Sequence, residues 1–167
     1  MMNIDNIEVF VFDFDGVLTN NMVYIDQNGK ESVGCNRGDG LAFDVLRKLG
    51  KPAYILSTEQ NMVVTSRAKK LQIPVIQGVK NKVMGIQKIA KKENCSLENM
   101  LYVGNDLNDY QVMKICGYTA CPADSNDMIK NISNTVLKTN GGSGVVRELL
   151  EDFLSLNFIS ILYEDDK

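Results

Sequence analysis

The chain contains no histidine. That absence excludes Ser-His-Asp and Cys-His nucleophilic centres and histidine-ligated zinc together, and it leaves any acid-base work to Asp, Glu, Lys or Tyr. The four cysteines, Cys35, Cys95, Cys116 and Cys121, include no Cys-x-x-Cys spacing. They read as core fillers, not as a metal ribbon or a redox pair. No secretory signal and no apolar run of membrane length is legible, so a reduced, cytoplasmic protein with no membrane partner is expected. Positive charge is not in excess: 18 Lys and Arg against 21 Asp and Glu give a net charge of −3. Nucleic acid is therefore not an expected partner, and an anionic substrate must be held by local cations. Repeats, low-complexity tracts and linkers are missing too. A chain of 167 residues, 44% hydrophobic and 23% charged, fits a single domain over residues 1–167.

What is present begins with IEVFVFDFDGVLT, Ile7 to Thr19. A period of two puts Phe10, Phe12 and Phe14 on one side of a strand and Val9, Val11, Asp13 and Asp15 on the other. Two acids thus emerge together from a buried strand end. Unpaired buried charge is costly, so the pair calls for a cation, a shared proton or solvent, and a hard metal such as magnesium suits it. Gly16 permits a tight turn and close approach of a ligand. Taken alone, DxDG is more simply a turn in which Asp15 and Gly16 end the strand; other residues must add to it.

They do so through the element pattern. Met22–Ile25 and Lys30–Cys35 flank Asp26-Gln27-Asn28-Gly29 as a β-hairpin insertion over 22–35. Helices are predicted over Leu41–Leu49, Glu59–Leu71 and Lys82–Glu93, after Leu107 and near Asn126. Strands are predicted at Ala53–Leu56, Pro74–Ile76, Met100–Val103, Tyr118–Ala120 and Thr135–Leu137. This alternation predicts an α/β fold: a three-layer, open, mainly parallel sheet covered on both faces, with no second domain. Gly141-Gly142-Ser143-Gly144 lacks the GxxxxGK[ST] pattern and reads as a bend before the last helix. The apolar stretch Leu149–Tyr163, within a C-terminal helix and tail over 149–167, either packs on its own sheet or forms an oligomer contact.

Ligands of such sheets bind beyond the carboxyl ends of the strands. That rule gathers Asp13 and Asp15, Ser57 to Glu59, and Gly104 to Asp109 on one rim, with Lys80 and Lys82 within reach. Carboxylates, a hydroxyl, an ammonium and a metal are what phosphoryl transfer needs.

Taken together, these residues resemble the haloacid-dehalogenase-like (HAD) phosphatases over nearly the whole chain, a Rossmann-like fold. DFDGVLT (Asp13–Thr19), Ser57, Lys82 and GNDLND (Gly104–Asp109) stand as that superfamily's four motifs. CNRGDG (Cys35–Gly40), ILSTE (Ile55–Glu59), QGVKNK (Gln77–Lys82) and GGSGVVRE (Gly141–Glu148) are similar to the small capless branch that dephosphorylates 3-deoxy-2-ketoacid sugar phosphates, including KDO 8-phosphate and nonulosonate 9-phosphate.

The resemblance implies a mechanism. Asp13 attacks phosphorus to give an aspartyl-phosphate, and Asp15 protonates the leaving oxygen and later activates water, its pKa raised by the neighbouring ionised Asp13. Ser57 holds a phosphate oxygen, and Lys82 compensates charge, with Lys80 as the competing lysine. Thr58, Glu59, Arg67 and Arg37 are the implied substrate contacts; both arginines read equally well as solvated residues. Magnesium falls to Asp13, the Asp15 carbonyl and the fourth motif. There Asn105 stands where the family commonly has Asp, so Asp106 or Asp109 is expected to compensate. GN at this point also occurs in the phosphatase-like domain of acylneuraminate cytidylyltransferases, which makes a non-catalytic oligomerisation module the alternative to an enzyme. A phosphoacceptor receiver domain fits less well, because both acids lie on the first strand. The absent cap implies a homotetramer in which a neighbour closes the site.

Overall fold

The division of the first strand between two cores organises the molecule. Phe10, Phe12 and Phe14 are buried in one apolar cluster, and Val9 and Val11 in another, as the period of two requires. The computed structural model describes residues 2–164; residues 165–167 of the expected tail lie outside the described residues. Its elements run β1 (Val9–Phe12), β2 (Tyr24–Ile25), β3 (Glu31–Ser32), α1 (Gly38–Lys48), β4 (Ala53–Leu56), α2 (Met62–Leu71), β5 (Val75–Ile76) and α3 (Lys82–Glu93). They continue with β6 (Met100–Val103), α4 (Tyr110–Met113), β7 (Tyr118–Cys121), α5 (Asp127–Ile132), β8 (Thr135–Val136), α6 (Val145–Glu148) and α7 (Phe158–Tyr163).

Six strands form one sheet in the order β5-β4-β1-β6-β7-β8, all neighbours parallel. The expected fold class is therefore observed. Apolar positions of α1, α2 and α6 cover the phenylalanine face, where the rings of Phe12 and Phe43 meet edge to face with centroids 5.3 Å apart. Ile86 and Ile89 of α3, Val112 and Met113 of α4 and Ile129 of α5 cover the other face.

Helix boundaries are set by polar caps that periodicity does not register. Asn36 Oδ1 accepts from Gly38 N–H at 2.7 Å, and α1 begins there, ahead of the expected Leu41. Asn61 caps α2, so the helix opens at Met62 and leaves Glu59 in the loop before it. The hairpin is shorter than expected. Asp26 Oδ1 gathers the N–H groups of Asn28 and Lys30 at 2.8 and 2.9 Å, and an isolated bridge between Thr19 and Cys35 closes the base. Met22, Val23, Tyr24 and Ile25 all stand exposed on it.

Past α6 the chain widens into a π-turn over Leu149–Phe153 and then breaks before α7. Leu149, Leu150, Leu154 and Phe158 are buried against the domain's own core, whereas Phe153, Ile159 and Tyr163 face outward. Among the described residues no helix is long and apolar enough to cross a membrane.

Candidate active site

Parallel register brings the site together. Phe12 lies opposite Ile55 on one side and Val103 on the other, so β1, β4 and β6 end at one level. Asp13 follows β1, with its N–H on the Val103 carbonyl at 2.9 Å. Ser57 follows β4, and the Gly104–Asp109 loop follows β6. Asp13, Asp15, Thr58, Asn105 and Asp106 line a cleft of about 290 Å³.

Behind it lies a buried charge network. Lys82 Nζ stands 2.8 Å from Asp13 Oδ1 and 2.6 Å from Asp109 Oδ1, with its side chain 2% exposed. Burial works against that charge, but the two carboxylates outweigh it and raise the lysine's pKa. Lys80 is exposed and makes no such contact, so the lysine at the acids is Lys82. Asp13 Oδ1 also accepts from Phe14 N–H at 2.7 Å. That oxygen is thus engaged twice, and Oδ2 accepts no hydrogen bond among the described residues. Burial, and next the negative charge of Asp109, push the Asp13 carboxyl up to about 7 against the pull of Lys82.

Asp15 is likewise raised above an ordinary carboxyl, first by burial and then by Glu59, against a hydrogen bond from Thr19 and the charge of Lys82. The expected cause, an ionised Asp13, is not among these. The negative partners that raise it are Glu59 and, less, Glu31.

The fourth motif departs from expectation at Asp109. Its Oδ1 accepts from Lys82 and from the Tyr102 hydroxyl, the latter at 2.7 Å; its Oδ2 accepts from the N–H groups of Asn105 and Asp106 at 2.8 and 3.3 Å. A wholly buried carboxylate so engaged orders the loop and the lysine, and each oxygen of this expected metal ligand already accepts two hydrogen bonds. Asp106 lines the cleft while its Oδ1 caps Leu107 N–H. Among the described residues no three acidic or thiol side chains gather as a metal site, so a cation there depends on other oxygens. Asn105 offers one: its Oδ1 is buried without a hydrogen-bond donor. An orphaned amide oxygen beside Asp13 and Asp15 fits a hard cation. Gly16 makes room for that amide, since a Cβ at Gly16 would lie 1.9 Å from Asn105 Nδ2.

The remaining expected contacts divide. Ser57 is buried at the end of β4, and its Oγ accepts from Glu59 N–H at 3.1 Å, which leaves the hydroxyl proton to donate. Thr58 is exposed in the cleft. Glu59 caps the loop before α2, with Oε1 taking the N–H groups of Gln60 and Asn61. Arg67 and Arg37, expected substrate contacts, do not line this cleft. Arg67 sits in a groove between the hairpin and α2, anchored by its Nη2 on the Asn36 carbonyl at 2.7 Å, and Arg37 borders a further groove beside α1.

Three residues join the site that sequence reasoning did not single out. Asn21, at φ 63°, and Asn108 line the cleft. Thr19 is buried beneath it, its Oγ1 accepting from the N–H groups of Gly16 and Asn21, both at 3.2 Å. Thr19 closes the DFDGVLT motif and was visible there. Asn21 had only the tolerance of asparagine for left-handed backbone to mark it.

Comparison with known proteins agrees with this geometry. The profile of the haloacid dehalogenase-like hydrolases matches residues 48–149. The chain is 30% identical over 152 residues to 3-deoxy-D-manno-octulosonate 8-phosphate phosphatase KdsC of Escherichia coli, spanning 90% of this chain and 81% of that protein. Among solved structures, a candidate HAD family hydrolase from Streptomyces avermitilis superposes with a TM-score of 0.88 at 38% identity, covering 90% of this chain and 87% of that one. The Moraxella catarrhalis 3-deoxy-D-manno-octulosonate 8-phosphate phosphatase, solved with magnesium, phosphate and KDO, superposes with a TM-score of 0.84 at 26% identity over 96% and 90% of the two chains. By sequence and fold alike, the chain belongs to the haloacid dehalogenase-like hydrolases and, within them, to the phosphoric monoester hydrolases that include KdsC.

Proposed function

We propose that this hydrolase is a magnesium-dependent phosphatase of a 3-deoxy-2-ketoacid sugar phosphate, of the 3-deoxy-D-manno-octulosonate 8-phosphate or nonulosonate 9-phosphate class, and that it works through Asp13. The observation that carries the reading is Lys82 clamped between Asp13 and Asp109 beside the donorless Asn105 amide. The eight-carbon substrate is favoured by the relatives, which are phosphatases of that compound.

Asp13 Oδ2 attacks phosphorus as the P–O bond to the sugar breaks, and the aspartyl-phosphate forms on that oxygen. Asp15, held by Thr19 and raised in pKa, protonates the departing sugar oxygen and then takes a proton from the water that opens the acyl phosphate. Lys82 fixes the nucleophile's orientation and offsets negative charge, while Ser57 donates to a phosphate oxygen. Asp13, Asn105 and the Asp15 carbonyl would hold magnesium, with Asp106 assisting, and the bound ion would supply positive charge against the phosphate. The unpaired cysteines fit a reducing, cytoplasmic setting.

A homotetramer is part of the same reading, supported by four consecutive exposed residues, Met22–Ile25, on a hairpin too short to cover the site. The test is phosphate release from a panel of sugar-acid phosphates with and without magnesium, with Asp13→Asn as the blank. Equal, slow release by both proteins on every substrate would instead favour the oligomerisation module.

A further inference from the structure

Two tyrosines flank Val11 at one level of the sheet, Tyr54 of β4 on one side and Tyr102 of β6 on the other. Both rings lie in the apolar layer that Ile86 and Ile89 of α3 cover. Their hydroxyls go to opposite ends of that helix. Tyr54 donates to Glu93, the last residue of α3. Tyr102 donates to Asp109 Oδ1 at 2.7 Å, and the same oxygen accepts from Lys82, the first residue of α3, at 2.6 Å. A phenylalanine would fill the place of either ring, so what distinguishes Tyr102 is where its hydroxyl ends.

Resting on the role of Asp13 proposed above, we infer that Tyr102 is a positioning residue of the phosphatase reaction: its hydroxyl shares Asp109 Oδ1 with Lys82 and so keeps the ammonium held between Asp109 and Asp13. Asp109 is wholly buried and takes four donors, Lys82 and Tyr102 on Oδ1 and the N–H groups of Asn105 and Asp106 on Oδ2. Lys82 is the flexible one among them, a point charge on a four-carbon stem. The other three are rigid: two belong to the backbone, and the third sits on a ring that is itself wholly buried. Burial, and next the charge of Asp109, hold the Tyr102 proton well above the ordinary tyrosine range, so the group remains a donor. Without that hydroxyl, Oδ1 would turn all its acceptor capacity to Lys82 and draw the ammonium away from Asp13, which it now meets at 2.8 Å. The effect reaches the nucleophile through two side chains, with Tyr102 touching neither phosphate nor Asp13.

The experiment measures p-nitrophenyl phosphate hydrolysis with magnesium by wild type, Tyr102→Phe, Tyr54→Phe, Asp109→Asn and the Tyr102→Phe/Asp109→Asn double variant, with Asp13→Asn as the blank. Loss of a hydrogen bond to a charged group is expected to lower kcat of Tyr102→Phe about tenfold, with KM within about twofold of wild type. Tyr54→Phe loses the same atom from the same layer and is expected to keep kcat within about twofold. In the Asp109→Asn background, where the hydroxyl no longer meets a charge, Tyr102→Phe should cost less than about threefold. A role in packing alone would give equal losses in both backgrounds. Melting temperatures establish folding, and should Asp109→Asn not fold, the split between kcat and KM and the Tyr54→Phe comparison decide. Tyr102→Phe within about twofold of wild type, a loss carried in KM, a loss matched by Tyr54→Phe, or equal losses in the two backgrounds each overturn the inference. A wild type no faster than Asp13→Asn overturns the role of Asp13 and this inference with it, a failure that is told apart by the blank.

Discussion

Lys82 and Asp13 form an ion pair of 2.8 Å whose side chains are 2% and 5% exposed, and Asp109 closes on the same ammonium from the other side. Removing the cation leaves two buried carboxylates facing each other. Lys82→Met is therefore expected to lower unfolding free energy by about 3–5 kcal/mol and phosphate release by more than about 100-fold. Lys80→Met, on the surface, should stay within about 0.5 kcal/mol of wild-type stability. Urea unfolding and phosphate release of the two variants check this.

Asn105 contributes an oxygen without a charge. Asn105→Asp is expected to lower the magnesium concentration giving half-maximal phosphate release by about tenfold, and Asn105→Ala to raise it. Gly16→Ala tests the packing beneath: its Cβ would fall 1.9 Å from Asn105 Nδ2, at a φ of +78°. Loss of activity together with a stability cost of about 1–2 kcal/mol is expected, read by a magnesium titration and a denaturant melt.

Asp39 gives stability a pH dependence. It is buried, its Oδ1 accepts from the N–H groups of Val146 and Arg147 at 3.0 and 3.2 Å, and Oδ2 has no partner. Burial raises its pKa from 3.8 to about 6 against those hydrogen bonds and the Arg67 charge. The folded state then holds the proton more tightly than the unfolded chain. Its contribution is full below the unfolded value and is lost as pH rises through about 6. The shift corresponds to about 3 kcal/mol. Asp39→Asn is expected to flatten that decline; urea unfolding of both proteins between about pH 4 and 7 measures it.

The exposed Met22–Ile25 stretch predicts an assembly sensitive to one charge. Ile25, 66% exposed, changed to Asp should lower the mass seen by light scattering from near four times 18.6 kDa toward the monomer. An unchanged tetramer would place the interface elsewhere, and a wild-type monomer would remove it.

The first strand and its acids were legible because a period of two and a strand-end rule need no tertiary information. β4, α3 and β6 were equally plain, each a strongly patterned run with a clear boundary. The start of α2 was not, because Asn61 decides it through a side-chain hydrogen bond, and α1 opens at Gly38 behind an Asn36 turn that periodicity does not register. The partners of Asp109 were hidden for a related reason: sequence shows a carboxylate near others, but only the fold brings Lys82 and Tyr102 onto it. Arg67 illustrates the converse. Its spacing after Ser57 was visible, yet the turn into α2 carries it toward the hairpin.

Gly141 and Gly142 lie against the backbone of the catalytic loop. A Cβ on Gly141 would fall 2.2 Å from the Gly16 carbonyl oxygen, one on Gly142 would fall 2.4 Å from Asn20 N, and Gly142 N–H bonds the Val17 carbonyl at 3.0 Å. The loop that positions Asp15 is thus propped by residues from a distant part of the chain. Any change that loosens the Gly141–Gly142 turn would therefore reach the carboxyl of Asp15 without touching it.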